Sequence, residues 1–307
     1  MLNHRQNDVH VVVRSANERT TSIAKRLARA QLGSDDNISV IAEVPFEAAL
    51  RATYMIALDA GKKWTMALDA DILLSPNAIA ELRREAELMP PHYLQVQGRI
   101  LDKIIGMYRQ AGPRIYRTAL LRRALEYVPE AGCEIRPESY VLQQMGELGH
   151  PSRRVSPMLG LHDFEQYYRD LYRKSFVHAK KHAELVPQLV ERCSRNLHDD
   201  PDFSVILKGL RDGLAHRGPV AIDSTRYIES FHRAQKELRI YEKSELSDER
   251  QFETSFPGYL QLVTKTPPSA SEMDDLPPVA RSDVEGPPTE TRKRGFAGRL
   301  FRRLSPF

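Results

Sequence analysis

Apolar and polar positions alternate along the first third of this chain in blocks that read as strand, helix and strand again. Val9-His10-Val11-Val12-Val13 is β-branched and almost wholly apolar, the pattern of a strand covered on both faces. A polar loop, Arg14 to Arg19, follows it, and residues 20–32 then place Ile23, Leu27 and Ala30 on one helical face. Asn37-Ile38-Ser39-Val40-Ile41-Ala42 reads as a second strand. A second helix over 46–60 brings Phe46, Leu50, Tyr54 and Ala57 into register and stops at Gly61. Lys63 to Leu68 reads as a third, buried strand, closed by Asp69-Ala70-Asp71. A helix over 76–88 then halts before Pro90-Pro91. This β-α-β-α-β order predicts a parallel sheet with right-handed crossovers.

The middle of the chain changes character. Tyr93 to Gln97 alternates like a half-exposed strand, and Arg114-Ile115-Tyr116-Arg117 reads as another, entering a helix over 118–126. Pro137 fits the first position of a helix running to about Leu148, with Val141, Leu142, Met145 and Leu148 inward. From Phe164 to Glu245 the pattern is helical and charged, broken near Asp199-Asp200-Pro201 and Gly218-Pro219. No domain-sized repeat is present. Four regions follow: an α/β domain over 1–165, a helical region over 166–265, a disordered acidic Pro-rich linker over 266–290, and a basic tail over 291–307.

With 41% hydrophobic residues, the 307-residue chain has enough apolar material for a real core. Its formal charge of +4 is unevenly laid out. In 266–290 Arg281 stands against six acids, while 291–307 has six basic residues and no acidic one. The remainder is nearly balanced, which argues against nucleic-acid binding. Cys133 and Cys193 lie far apart and match neither a metal nor a disulfide framework, which favours a reducing compartment. The polar start, Met1 to Asp8, lacks the apolar stretch of a signal peptide, and no apolar run approaches the ~20 residues that span a bilayer. The expected location is cytoplasmic. Phe296, Leu300, Phe301 and Leu304 share a helical face ringed by arginine, which suits peripheral contact with an anionic membrane surface or a disordered solubilising tail.

The chemistry centres on Asp69-Ala70-Asp71. Two carboxylates one residue apart at the C-terminal end of a strand form a hard-oxygen cluster suited to Mg²⁺ or Mn²⁺ carrying a phosphorylated ligand. Ligands of open α/β sheets sit beyond the carboxyl ends of the strands. The same aspartates could instead only open the turn before Ile72-Leu73-Leu74. Arg14, after the first strand, and Arg51, on the helix before the acidic motif, are candidate phosphate partners or solvated side chains. His178 and His182, one turn apart but flanked by Lys180 and Lys181, are expected to face solvent.

The stretch from Val9 to Leu74 resembles the nucleotide-binding half of GT-A glycosyltransferases, the family 2-like group in particular. The shared features are Val11-Val12-Val13 before Asn17-Glu18-Arg19, and the helix from Phe46 to Gly61 leading into Trp64 to Asp71. The match in spacing and texture covers about residues 9–165. It implies a GT-A-like (Rossmann-type), mostly parallel sheet flanked by helices. It also implies that Asp71 and Asp69 meet a divalent cation on the diphosphate of a sugar nucleotide, with Glu18 and Asp69 at the donor. His162, in Gly160-Leu161-His162-Asp163-Phe164, lies where some such enzymes place a third metal ligand; imidazole suits Mn²⁺. In the family the base that deprotonates the acceptor is the aspartate of a Glu-Asp pair opening a helix. Here the pair is Glu138-Ser139, and the family's downstream arginine is Met145. Glu138 is the expected base, with Glu134 as the alternative.

The expectation is thus an inverting, metal-dependent transferase moving a sugar from a nucleoside diphosphate to a hydroxyl acceptor, in polysaccharide or glycolipid synthesis. A nucleotidyltransferase would want a Gly-rich basic loop after the first strand, and Arg14 to Arg19 has no glycine. A degenerate, non-catalytic sugar-nucleotide-binding scaffold is the other reading, supported by the Glu138-Ser139 departure.

Overall fold

The computed structural model describes residues 6–134, 136–221 and 226–246, all within one compact unit. The expected linker and basic tail lie outside the described residues. The chain begins with β1 (Val9–Arg14), α1 (Thr21–Arg29), β2 (Ile38–Ile41), α2 (Phe46–Ala60) and β3 (Trp64–Asp69). It continues through β4 (Ile72–Leu74), α3 (Ala78–Glu87), β5 (Gln95–Asp102) and β6 (Tyr108–Arg117). Then come α4 (Leu121–Leu125), α5 (Pro137–Glu147) and β7 (Ser152–His162). Four further helices close the described part: α6 (Tyr168–Lys181), α7 (Val186–Asn196), α8 (Asp202–Ala215) and α9 (Ile228–Leu238).

Local chemistry explains the cleanest boundaries. α2 ends where Gly61 takes a left-handed φ of 61°, a conformation without steric cost for glycine. Pro137 starts α5, where its missing N–H is no loss and its fixed φ suits the helix.

The strands form one α/β sheet in the order β2-β1-β3-β6-β5-β7-β4. The parallel block expected from the sequence is β2-β1-β3. Beyond it the sheet is mixed: β6 runs antiparallel to β3 and β5, β5 pairs parallel with β7, and β4 pairs antiparallel with β7. Ile72-Leu73-Leu74, which follows the acidic motif, is therefore a strand at the far edge of the sheet. Only Ala70 and Asp71 separate it from β3.

Alternation along the strands sorts the core into layers. Val11, Val13, Met66 and Leu68 pack with α1 and α3 through Ala28, Ile79 and Leu82. On the opposite face Ala67 and Tyr116 pack with α2, α4 and α5 through Leu50, Tyr54, Leu121, Val141 and Met145. Of the residues expected inward on α5, Leu148 is exposed, because the helix has ended before it. β5 is buried nearly throughout rather than half-exposed, because it lies inside the sheet between β6 and β7 with α3 packed against it.

Helices α6 to α9 share a third core with Ile104, built on Leu171, Tyr172, Phe176, Phe203, Ile206, Leu210 and Phe231. Two glycines on α8 set how closely α6 approaches. A Cβ at Gly209 would press into Ser175 Oγ and lie 2.6 Å from the Tyr172 carbonyl oxygen, and one at Gly213 would meet the Phe176 carbonyl. A strap over residues 241–246 then returns to the start of α6. Glu242 accepts from the backbone N–H groups of Tyr168 (2.7 Å) and Arg169 (3.0 Å), capping the helix with a carboxylate. Lys243 reaches Asp202 at 2.6 Å, and Arg19 Nε donates to the Ser244 carbonyl at 2.7 Å.

Because the Tyr172 carbonyl stands behind the buried Ser175 hydroxyl at this glycine, Gly209→Ala should destabilise the fold by about 1–3 kcal/mol. A fall in urea midpoint at unchanged m-value checks this. A midpoint equal to wild type would show that α6 and α8 separate without cost.

Candidate functional site

Register assembles the site. The β1–β3 ladder sets Arg14 opposite Asp69 at the C-terminal ends of both strands. At the far edge, Ile72 of β4 faces His162 of β7, and the Asp163 N–H donates to the Asp71 carbonyl at 3.2 Å. Asp102 of β5 is also opposite His162. Three strand ends thus deliver Asp71, Asp102, His162 and Asp163 to one place. Asp163 takes a left-handed φ of 65°, a costly conformation for a residue with a side chain.

Two charge groups result, and the acidic motif divides between them. In the first, Arg14 Nε donates to Asp69 Oδ1 at 2.8 Å and its Nη1 to Glu138 Oε1 at 3.0 Å. Arg114 also pairs with Glu138, and the Tyr116 hydroxyl donates to it at 2.7 Å. Burial would raise the Glu138 pKa, but Arg114 and Arg14 outweigh it and draw it down to about 2. Glu138, expected as a base, is here a buried ion-pair hub. A carboxylate that binds protons only near pH 2 is poorly matched to proton abstraction near neutrality.

In the second group His162 Nδ1 lies 2.9 Å from Asp102 Oδ2 and 3.1 Å from Asp163 Oδ2, and its Nε2 lies 3.4 Å from Asp71 Oδ2. Lys174 of α6 pairs with both Asp71 and Asp163. Burial disfavours the imidazolium, yet Asp163, Asp71 and Asp102 together raise the His162 pKa to about 10. Burial likewise opposes the Asp71 charge, while Lys174 and His162 hold its pKa far below the usual carboxylate range. Arg109 bonds Asp102 at 2.7 Å, balancing that buried acid from behind.

The residues of this group fit a divalent cation. Candidate ligand atoms of Asp71, His162 and Asp163 all lie within 4.8 Å of one another. Asp71 Oδ1 is buried and makes no hydrogen bond among the described residues, an orphaned acceptor among charged neighbours. Asp102 orients the ring through Nδ1 and leaves Nε2 toward Asp71, the outer carboxylate arrangement common behind metal-binding histidine. Sequence reasoning brought out Asp71 and His162. It missed Asp163, although that acid adjoins the candidate histidine, and it missed Lys174 and Asp102, which no local pattern marks. Asp69 lies apart from this group, held by Arg14.

Both aspartates of the motif line one cleft of about 580 Å³, whose wall also includes Arg14, Glu18, Glu43, Glu134 and Lys174. Glu18 accepts from Ser15 Oγ (3.1 Å) and the Ala16 N–H (2.6 Å); burial first, and then the Asp71 charge, push its pKa up to about 7. Arg51 does not join the others: its Nη2 donates to the Val128 carbonyl at 2.5 Å, outside the cleft lining. His178 is partly buried rather than solvent-facing, and burial lowers its pKa to about 3.

No family model matches this chain, and no curated protein matches it. Several solved structures do resemble it. One is a glycosyltransferase involved in the glycosylation of the major capsid of PBCV-1, 12% identical, covering 50% of this chain and 92% of that one, with a TM-score of 0.35. Another is the mannosyltransferase PcManGT from Pyrobaculum calidifontis, in complex with GDP-Man and Mn²⁺, 13% identical, covering 90% and 89%, with a TM-score of 0.37. A third is 4-diphosphocytidyl-2C-methyl-D-erythritol synthase from Anaerococcus prevotii DSM 20548, 10% identical, covering 49% and 89%, with a TM-score of 0.38. At these identities the chemistry of the present chain has to be argued from its own residues.

The Glu138 hub gives a pH signature. Its folded pKa lies below the unfolded value near 4.5, so its stabilisation is complete above pH 4.5 and disappears as the pH falls toward 2. Glu138→Gln leaves Arg114 and Arg14 short of a buried partner and should cost about 3–5 kcal/mol at pH 7. The variant should also lose part of the acid-side slope of stability. Matching stability-versus-pH curves for variant and wild type would refute the hub.

Proposed function

We propose that this protein is a divalent-cation-dependent transferase acting on a nucleoside-diphosphate sugar and passing the sugar to a hydroxyl acceptor. The observation that carries this reading is the orphaned Asp71 Oδ1 beside His162 and Asp163, at the end of β3 and on the wall of the cleft. Asp71, His162 and Asp163 would hold Mn²⁺ or Mg²⁺, and a cation bound there would offset the negative charge of a departing diphosphate. Arg14 would orient Asp69 at the donor end of the cleft, while Glu18 would keep the Ser15-Ala16 turn closed against the nucleotide.

With Glu138 committed to two arginines, the base role passes to Glu134, an exposed carboxylate lining the same cleft. Inversion at the sugar and a glycan or lipid-linked acceptor complete the reading. Among the described residues no helix is long and apolar enough to cross a membrane. The six basic residues of 291–307 would supply peripheral contact with an anionic surface, which sedimentation with anionic liposomes at low salt tests.

A second reading rests on the same hub. The carboxylate that the glycosyltransferase resemblance would assign as base is held by Arg14, Arg114 and Tyr116. A chain that binds a sugar nucleotide without turning it over would be built this way.

Asp71→Ala should abolish Mn²⁺-dependent stabilisation by sugar nucleotides. In the wild type, donor at about 100 times its Kd should add about 2.7 kcal/mol, read as a rise in melting temperature. Retained Mn²⁺-dependent donor binding in the mutant would refute the metal reading. Glu134→Gln should lower turnover about a hundredfold with donor binding intact. Donor binding without detectable turnover in the wild type would favour the non-catalytic reading.

A further inference from the structure

Lys174 occupies an unusual position. Its ammonium bonds Asp71 Oδ2 and Asp163 Oδ1, the carboxylates of two of the three residues that could hold a metal. The third, His162, lies 3.4 Å from the same Asp71 oxygen through Nε2. Lysine is a compact point charge on a flexible four-carbon stem, able to satisfy two carboxylates where a small ion could sit. Its root is firmly placed. α6 is packed against α8 through Gly209 and Gly213, and Ser175, the next residue, is fully buried with its hydroxyl bonded to the Leu171 carbonyl at 2.6 Å.

Asp71 Oδ1 is open to an ion, but ligation through Asp71 Oδ2 and Asp163 Oδ1 sets the ion against the ammonium that already holds them. Both cations need the lone pairs of Asp71 and Asp163, and like charges packed between the same carboxylates repel strongly where water is scarce. We infer that Lys174 is a tethered competitor of the divalent ion: metal enters the Asp71–His162–Asp163 site only as the ammonium leaves, and the displaced side chain turns into the adjoining cleft. Lys174 already lines that cleft beside Arg173, so its stem has somewhere to go. Loading the site would therefore place one more positive charge on the cleft wall where an anionic ligand binds. The inference rests on reading the cluster as a divalent-cation site, and it adds a named residue that sets how tightly the ion is held.

The test is a titration of Mn²⁺ alone into the full-length chain, followed by the EPR signal of free Mn²⁺. It compares wild type, Lys174→Met, Lys174→Gln and Asp71→Asn. Each charged hydrogen bond that need not be broken favours the ion, so both lysine variants should bind Mn²⁺ at least about tenfold more tightly than wild type. Combining Lys174→Met with Asp71→Asn should remove that gain. A second readout follows the fold: without Mn²⁺ the lysine variants should melt below wild type, and Mn²⁺ should raise their melting temperature by more than it raises that of the wild type. Lys174→Gln keeps hydrogen-bonding capacity if the methionine variant folds poorly. Equal or weaker Mn²⁺ affinity in both lysine variants, with binding abolished by Asp71→Asn, would overturn the competition and leave the metal site standing. No Mn²⁺ binding by any of the proteins would overturn the inference together with the metal reading beneath it.

Discussion

Buried carboxylates at the C-terminal end of the sheet are the constraint from which the rest of this structure follows. Asp71, Asp102, Asp163 and Glu138 are all buried, and a carboxylate removed from water is costly unless paired. Each has found a cation. Arg114 and Arg14 serve Glu138, Arg109 serves Asp102, and Lys174 with His162 serves Asp71 and Asp163. These cations come from β1, β6, β7 and α6, so the charge balance ties the parallel block, the antiparallel block and the helical region together.

Much of the frame was legible in the sequence because it is written in local periods. The β-branched run at Val9 to Val13, the helix from Phe46 to Gly61 and the start of α5 at Pro137 each follow from residues a few positions apart. The far edge of the sheet was not legible. Ile72-Leu73-Leu74 is too short to announce a strand, and its partner β7 lies more than seventy residues on. The mixed character of the sheet depends on that pairing and on the antiparallel course of β6.

The site divides in the same way. Asp71 and His162 could be singled out because an acidic pair at a strand end and a histidine after a strand are visible patterns. Asp102 could not, since only the β5–β7 register brings it to His162. Glu138 was visible as a helix-opening acid, but its surroundings were not: Arg14 is 124 residues away along the chain and Arg114 is 24. The role of a carboxylate depends on its partners, and here the partners arrive by topology.

The strap at residues 241–246 bears on where this protein can be cut. Glu242 closes the N-terminus of α6, Lys243 neutralises part of Asp202, and Ser244 receives Arg19 from the loop after β1. A shortened chain ending at the last turn of α9 would keep every described helix and strand yet uncap the helix that carries Lys174. A truncation that keeps these contacts therefore has to extend beyond Ser244, several residues past the last described helix.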